Sequence, residues 1–322
     1  LGPRTILQRF PKEISYAFAY GSGVKQQLGY EKVLPSAKMI DLILCVENSL
    51  KWHEENMQLN HTDYSGMKLF GSSIVSRFQE NFGASVYFNT LVHIKEQNVY
   101  IKYGVISPLH LMQDLNEWKH LYVAGRLQKP VFDLIHPKEE GIRLALSKNL
   151  NSALRTALLM LPSNFSDFDL FYTIANMSYS GDFRMKFGEN KHKVFNIVEP
   201  QLNEFYNLYL PAIRNLSSHI AILSNKRSFV QDKSTSAVEA HFRNLPDEIL
   251  NLVLATYGVT DLHSIAFKKI IDSNNYPRIV AKSVKQIVWK SSLSQSIKNI
   301  PCAGLSKSFE YSFRKISKML NV

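Results

Sequence analysis

Residues 15–46 read SYAFAYGSGVKQQLGYEKVLPSAKMIDLILCV, and their pattern decides the fold. Tyr16, Phe18 and Tyr20 alternate with Ala17 and Ala19, a period of two that puts large rings on one face of a strand packed against a core. The strand ends at Gly21-Ser22-Gly23. Glycines there let the backbone turn sharply and approach a ligand with no Cβ in the way, while backbone N–H groups and the Ser22 hydroxyl can face phosphate oxygens. Gly-Ser-Gly is also ordinary turn punctuation. The second strand, MIDLILCV, sharpens the reading. Ile40, Leu42, Leu44 and Val46 form one apolar face, and Asp41 falls on the other with Met39, Ile43 and Cys45. A carboxylate in such a strand is costly unless it is paired, hydrogen-bonded or on a metal. Asp41 is therefore either a salt-bridged structural residue or a ligand for Mg²⁺ facing a triphosphate in the Gly-Ser turn.

Outward from this stretch, Gly66 to Gly83 has helical spacing, and SVYFNTLVHI and VYIKYGVIS read as an antiparallel strand pair around the polar KEQN turn. That pair extends the sheet into a mixed α/β layer. Lys102, on the second of these strands, either meets a triphosphate or snorkels at a sheet edge. Apolar residues recur on one side from Pro108 to Tyr122, and the pattern ends in AGRLQKP, with Arg126 and Lys129 beside Gly125 and Pro130. Glu139 to Leu161 is an amphipathic helix closed by Pro162. Ser166 caps the next helix, with Asp169 three residues on. With a strand-like KVFNIVEP these helices suggest a winged helix. Asp167 and Asp169, rather than Arg or Lys, open its second helix, which argues against reading a DNA groove.

Residues 215–240 are poor in apolar side chains and read as a loop or linker, before a helix over Leu245 to Tyr257. His53 and His61, eight apart with no Cys nearby, match no zinc spacing and read as solvated surface residues. Glu47 shares the parity of Asp41, but six residues at about 3.3 Å each put it roughly 20 Å away, too far to share a metal ion.

The chain of 322 residues is 45% hydrophobic, enough for a substantial core and for two or three domains. Collagenous and disordered classes are excluded. A net charge of +11 calls for an anionic partner: a nucleotide, a phospholipid surface or a nucleic acid. Two cysteines, Cys45 and Cys302, do not make a disulfide framework and fit a reducing compartment. No run approaches the roughly 18 apolar residues that span a bilayer, so a soluble or peripheral protein is expected. Neither a signal peptide nor a transit sequence is legible at Leu1, and a targeting segment is expected to lie outside this chain.

The motifs AFAYGSGV, MIDLILCVEN, IKYGVIS, LYVAGRLQKPV, LLMLP and SYSGDFRM, in this order, resemble the mitochondrial phosphatidate cytidylyltransferase family. Its members are peripheral CDP-diacylglycerol synthases, also described as translocator assembly and maintenance proteins. The resemblance runs from about Phe10 to about Pro200, with a weaker echo at SSLSQSIKNIPCAG. Together with the segments above, the α/β (α+β) chain is expected to divide into a nucleotidyltransferase domain with a mixed sheet (1–107), a winged-helix-like helical domain (108–222), a linker (223–244) and a basic C-terminal helical region (245–322), the first two being what the resemblance implies. The resemblance also implies CTP and phosphatidic acid as substrates, a divalent cation such as Mg²⁺, and a place on the matrix side of the mitochondrial inner membrane. Through it, Arg126 and Lys129 are expected to face nucleotide phosphates beside Gly21, Ser22, Gly23 and Lys102. No nucleic-acid partner is implied, and self-association stays open.

Many nucleotidyltransferases place two carboxylates two apart on one strand, but here the second position is Ile43. A second metal ligand must come from elsewhere, and Asp182 of SYSGDFRM is the candidate; its other reading is an ion pair with Arg184. From Lys282 onward there are eight Lys or Arg against one acid, Glu310. In the last stretch Phe309, Phe313, Ile316 and Leu320 follow 4-3-4 spacing while Lys307, Arg314, Lys315 and Lys318 lie mostly elsewhere around the helix, the form of an interfacial amphipathic helix. Hydroxyls of SSLSQSIKNI and Lys298 are candidates for a lipid phosphate. Two other readings are an RNA- or protein-directed nucleotidyltransferase and a non-catalytic mitochondrial import assembly factor.

Overall fold

The aromatic alternation forms a strand where the sequence places it. The computed structural model describes residues 3–28, 39–186, 192–224, 227–259, 264–272 and 274–303. Strands β1 (Ile14–Tyr20), β2 (Met39–Val46), β3 (Tyr87–Ile94), β4 (Val99–Ile106) and β5 (Phe132–Ile135) make one sheet in the order β3-β4-β2-β1-β5. Only the β2–β4 pair is parallel. Helices α1 (Ser49–Leu59) and α2 (Gly71–Asn81) link β2 to β3, and α3 (Pro108–Glu117) and the single turn α4 (Ala124–Leu127) link β4 to β5.

The sheet is covered on both faces, which is why MIDLILCV is apolar at both parities. One face packs Leu42, Leu44 and Val46 with Phe10, Trp52 and Tyr103. The other packs Tyr16, Phe18, Ile43 and Cys45 against a helical layer. That layer holds α5 (Glu140–Met160), β6 (Asn164–Ser166), α6 (Asp167–Met177), α7 (Lys193–Val198), α8 (Leu202–Asn215), β7 (Ile220–Ile222), β8 (Ser228–Gln231), α9 (Thr235–Phe242), α10 (Asp247–Tyr257), α11 (Ile265–Asp272) and α12 (Tyr276–Ala303). Ser166 and Asp169 form the expected capping box of α6.

Three expectations change. KVFNIVEP is helical, not strand-like: Val194, Ile197 and Val198 bury one stripe at helical spacing. The segment read as a linker holds β8 and α9, which bury Phe229, Val238 and Phe242. Such short elements bury too few side chains to raise apolar density. Finally, β5 lies beyond residue 107 yet completes the first sheet beside β1, so the proposed boundary cuts through a shared core. The strands beside α5 and α6 are β6, β7 and β8, in a small antiparallel sheet.

His53 is also corrected. It is fully buried, its ring nitrogens 2.7 Å from Tyr64 Oη and 2.9 Å from Gln79 Oε1, and burial pushes its pKa down to about 4. His61 is exposed, as read.

Candidate active site

The site is built at the open end of the sheet, where β1 finishes and β2 and β4 begin. Tyr20 pairs with Asp41, and Asp41 with Lys102, so the three side chains share one face. The Lys102 Nζ lies 3.9 Å from Asp41 Oδ1 and 4.5 Å from the centroid of the Phe88 ring. Gly21 has a positive φ of 78°, and a Cβ there would sit 3.5 Å from Asp41 Oδ2, so the Gly-Ser turn passes directly over this carboxylate. Gly23 serves a different purpose from the one expected. It does not line the cavity; its backbone presses on β2, where a Cβ would meet the Met39 carbonyl at 2.5 Å.

The second wall is the segment after α3. Trp118 and Leu121 adopt positive φ values of 57° and 50° and reverse the chain. The Asp114 carboxylate accepts the backbone N–H groups of His120, Tyr122, Val123 and Ala124 at 2.9, 3.0, 2.8 and 2.9 Å. Asn149 accepts from Trp118 Nε1 and Gln128 Nε2 and donates to the Ala124 carbonyl. These bonds fix α4 and aim Arg126. Its guanidinium lies between two rings, 5.1 Å from the Tyr20 centroid and 4.0 Å from that of Tyr122. It has no carboxylate partner among the described residues, and its buried Nε makes no hydrogen bond. Lys129 donates to the Gly125 carbonyl and to Ser178 Oγ; burial and the Arg126 charge push its pKa down to about 7. These are the properties of cations held ready for an anion.

The third wall is residues 178–186. Asp182 is gripped by Arg184: Nε lies 2.9 and 3.1 Å from its two oxygens, Nη2 2.5 Å from Oδ2, and the Arg184 amide donates to Oδ1 at 3.0 Å. The ion-pair reading of this motif is thus the one observed. Gly181 allows α12 to close against it, since a Cβ would lie 2.2 Å from the Lys285 carbonyl oxygen. The Phe183 amide donates to Ser292 Oγ on that helix.

The walls enclose a cavity of about 200 Å³ that brings together Gly21, Ser22, Asp41, Lys102, Arg126, Lys129 and Asp182. It adds Lys25, Arg184 and Lys193, so six cations face two carboxylates. Lys25 is ion-paired with Glu204. Of the lipid-phosphate candidates, Ser291 and Ser292 line the cavity, whereas Lys298 does not. Lys298 is corrected: it is buried and donates at 2.7 and 2.6 Å to the Gln79 and Phe82 carbonyls at the end of α2. Lys307, Phe309, Phe313, Arg314, Lys315, Ile316, Lys318 and Leu320 lie outside the described residues.

Asp114, Lys25 and Lys193 escaped the sequence reading. Lys25 follows the Gly-Ser turn by two residues, and Asp114 is an acid beside the apolar stripe of α3; those are the signals that were there.

Among the described residues no three His, Cys, Asp or Glu side chains converge as a metal cage. The donor set fits a hard cation held by one carboxylate and substrate phosphates, with Asp41 as that carboxylate. Asp182 would have to leave Arg184 to join it.

The profile of the family described as "Phosphatidate cytidylyltransferase, mitochondrial" matches residues 3–318. The chain belongs to that family. Phosphatidate cytidylyltransferases of this name include one from Drosophila melanogaster, 43% identical over 99% of this chain and 98% of its own length. One from Mus musculus is 40% identical over 99% of this chain and 94% of its own. A third, from Caenorhabditis elegans, is 37% identical over 98% of each. Among the described residues no helix is long and apolar enough to cross a membrane.

Proposed function

We propose that this chain transfers CMP from CTP to phosphatidic acid, giving CDP-diacylglycerol and pyrophosphate. One observation carries the reading: a single cavity joins the Gly21-Ser22 turn, the Asp41 carboxylate and the half-buried Arg126–Lys129 pair, with cations in excess. A site that must hold a triphosphate and a phosphomonoester together needs that excess.

An oxygen of the phosphatidate phosphate attacks the α-phosphorus of CTP in line with the departing pyrophosphate. A P–O bond to the lipid phosphate forms as the α–β bridging P–O bond breaks, and the electron pair leaves on pyrophosphate. The attacking oxygen is already anionic near neutral pH, so no strong base is required. Positioning and charge neutralisation do the rest. The Gly21-Ser22 turn holds the triphosphate, and Arg126 and Lys129 contact its oxygens. Arg184, steadied by Asp182, adds a third cation. Asp41 would hold Mg²⁺, which when bound supplies charge screening between the phosphates.

The relatives are named mitochondrial, and the described residues hold no spanning helix, which supports a peripheral protein. The proposed location is the matrix face of the mitochondrial inner membrane, where the product feeds phosphatidylglycerol and cardiolipin synthesis. The family does not favour an RNA-directed transferase or a non-catalytic assembly factor. The test is incubation of the protein with phosphatidate vesicles and each radiolabelled nucleotide in turn. CTP with a divalent cation is expected to yield the liponucleotide. Equal labelling from ATP, or none from any nucleotide, refutes the reading.

A further inference from the structure

Helix α12 carries two kinds of chemistry on one outward stripe. Its 28 residues contain no Asp or Glu. Val280, Val284 and Ile287 face the core. The opposite stripe is cationic at its start and apolar at its end: Arg278, Lys282 and Lys285 are exposed, and two turns and more beyond them Leu293, Ile297 and Ile300 are 37, 60 and 48% exposed. None of the three cations has an ion-pair partner among the described residues. Against the apolar end lies the short turn Gly66–Phe70, tied down by a hydrogen bond of 2.7 Å from Ser65 Oγ to the Pro301 carbonyl. At its tip Leu69 is 82% and Phe70 66% exposed. Large apolar side chains gathered at one end of a molecule mark an interaction surface.

We propose that this face seats the protein on an anionic phospholipid leaflet. Leu69, Phe70, Ile297 and Ile300 enter the acyl boundary, and the cations of α12 lie on headgroup phosphates. Charge complementarity and depth select the leaflet over another occupant. The stripe is basic where a monolayer is anionic, and its apolar end is a shallow tip and one helix edge, suited to insertion without spanning. The same helix supplies Val288, Ser291 and Ser292 to the cavity. Ser292 and Ile300 are eight residues apart, about 12 Å along the axis. With the outward stripe laid along the leaflet, this separation runs in the membrane plane, so the seated helix keeps the cavity close to the headgroup layer, where a phosphatidate phosphate lies. The inference rests on the proposed reaction for that last step, while the surface itself is tested without it.

The experiment is co-sedimentation of the full chain with phosphatidylcholine vesicles, with and without phosphatidylglycerol. The paired substitution Leu69→Ser/Phe70→Ser is expected to lower partitioning to both by about tenfold or more, and Lys282→Glu/Lys285→Glu to remove the gain from phosphatidylglycerol. Leu144→Ser, on an equally exposed part of α5, is expected to change neither. Far-UV circular dichroism, and CMP transfer to a water-soluble short-chain phosphatidate without vesicles, should match the unmodified chain for every variant. Failure of the unmodified chain to convert that soluble substrate refutes the reaction but not the surface. The surface is refuted by unchanged partitioning in both paired variants, including the case where only removal of residues 304–322 abolishes it. It is refuted equally if the Leu69/Phe70 change converts a dimer to a monomer in light scattering while vesicle binding persists.

Discussion

Lys102 and Asp41 stand side by side on parallel strands with their charges 3.9 Å apart, at the end of the sheet that opens into the cavity. A pair this loose gives Asp41 a counterion without saturating its oxygens, and the Asp41 side chain keeps 23% of its exposure while Lys102 keeps 9%. Asp41→Asn is expected to lower kcat/KM by at least about a hundredfold, the range seen when a charge that stabilises a transition state is removed. It should change stability by no more than about 1 kcal/mol, as for a partly solvated ion pair. Turnover measured beside urea denaturation checks both; an unfolded variant would make Asp41 a structural residue.

Lys129 gives a proton-linked signature. With its pKa pushed down to about 7, much of the free protein near pH 8 carries a neutral amine. A bound triphosphate restores the charge, so CTP binding should take up a proton from buffer. Calorimetry in two buffers of different ionisation enthalpy reads this uptake, which should vanish in Lys129→Met. In the unbound protein the sign is the reverse of a salt bridge's. The unfolded chain holds this proton up to about pH 10 and the folded chain releases it near 7, so Lys129 makes stability rise with pH across that window.

Asp182 and Arg184 separate two roles for one carboxylate. If Asp182 positions Arg184, then Asp182→Asn and Arg184→Met should each raise KM for CTP by about tenfold, as expected for loss of one charged contact, with unchanged dependence on Mg²⁺. A shift of the Mg²⁺ activation curve in Asp182→Asn but not in Arg184→Met would make Asp182 a metal ligand instead.

Asp114 touches no expected substrate, yet four backbone N–H groups end on it. Asp114→Ala leaves those donors unpaired in a buried turn and should cost about 3 to 5 kcal/mol by chemical denaturation. In whatever remains folded, CTP affinity should also fall, because Arg126 loses its support.

His53 sets an acid limit. The folded ring stays neutral down to about pH 4, whereas the unfolded ring takes a proton near 6.5. Its contribution is fully present above pH 6.5 and is lost as pH falls toward 4, by up to about 3 kcal/mol. Urea midpoints across this range should slope less in His53→Gln.

The core strands were legible because alternation over Tyr16 to Tyr20, and apolarity at both parities in β2, report directly on burial. The capping box of α6 was legible because its two partners are three residues apart. Lys298 and His53 were not, since what buries a polar residue is a partner remote in sequence: the carbonyls that hold Lys298 lie 219 and 216 residues away. The same holds for β5, whose place beside β1 depends on pairing across more than a hundred residues. Arg126 and Lys129 are legible only through family resemblance, because charges beside Gly and Pro look like any helix terminus.

The buried cluster that begins with Tyr16 and Phe18 on β1 continues without interruption to Phe242, Phe267 and Val288. One face of the first sheet thus shares its interior with the helical layer, while the other face packs only on residues 6–135. Calorimetry should accordingly show one melting peak with matching van't Hoff and calorimetric enthalpies, and a chain divided near residue 107 or 222 should give two insoluble pieces that become soluble only when expressed together.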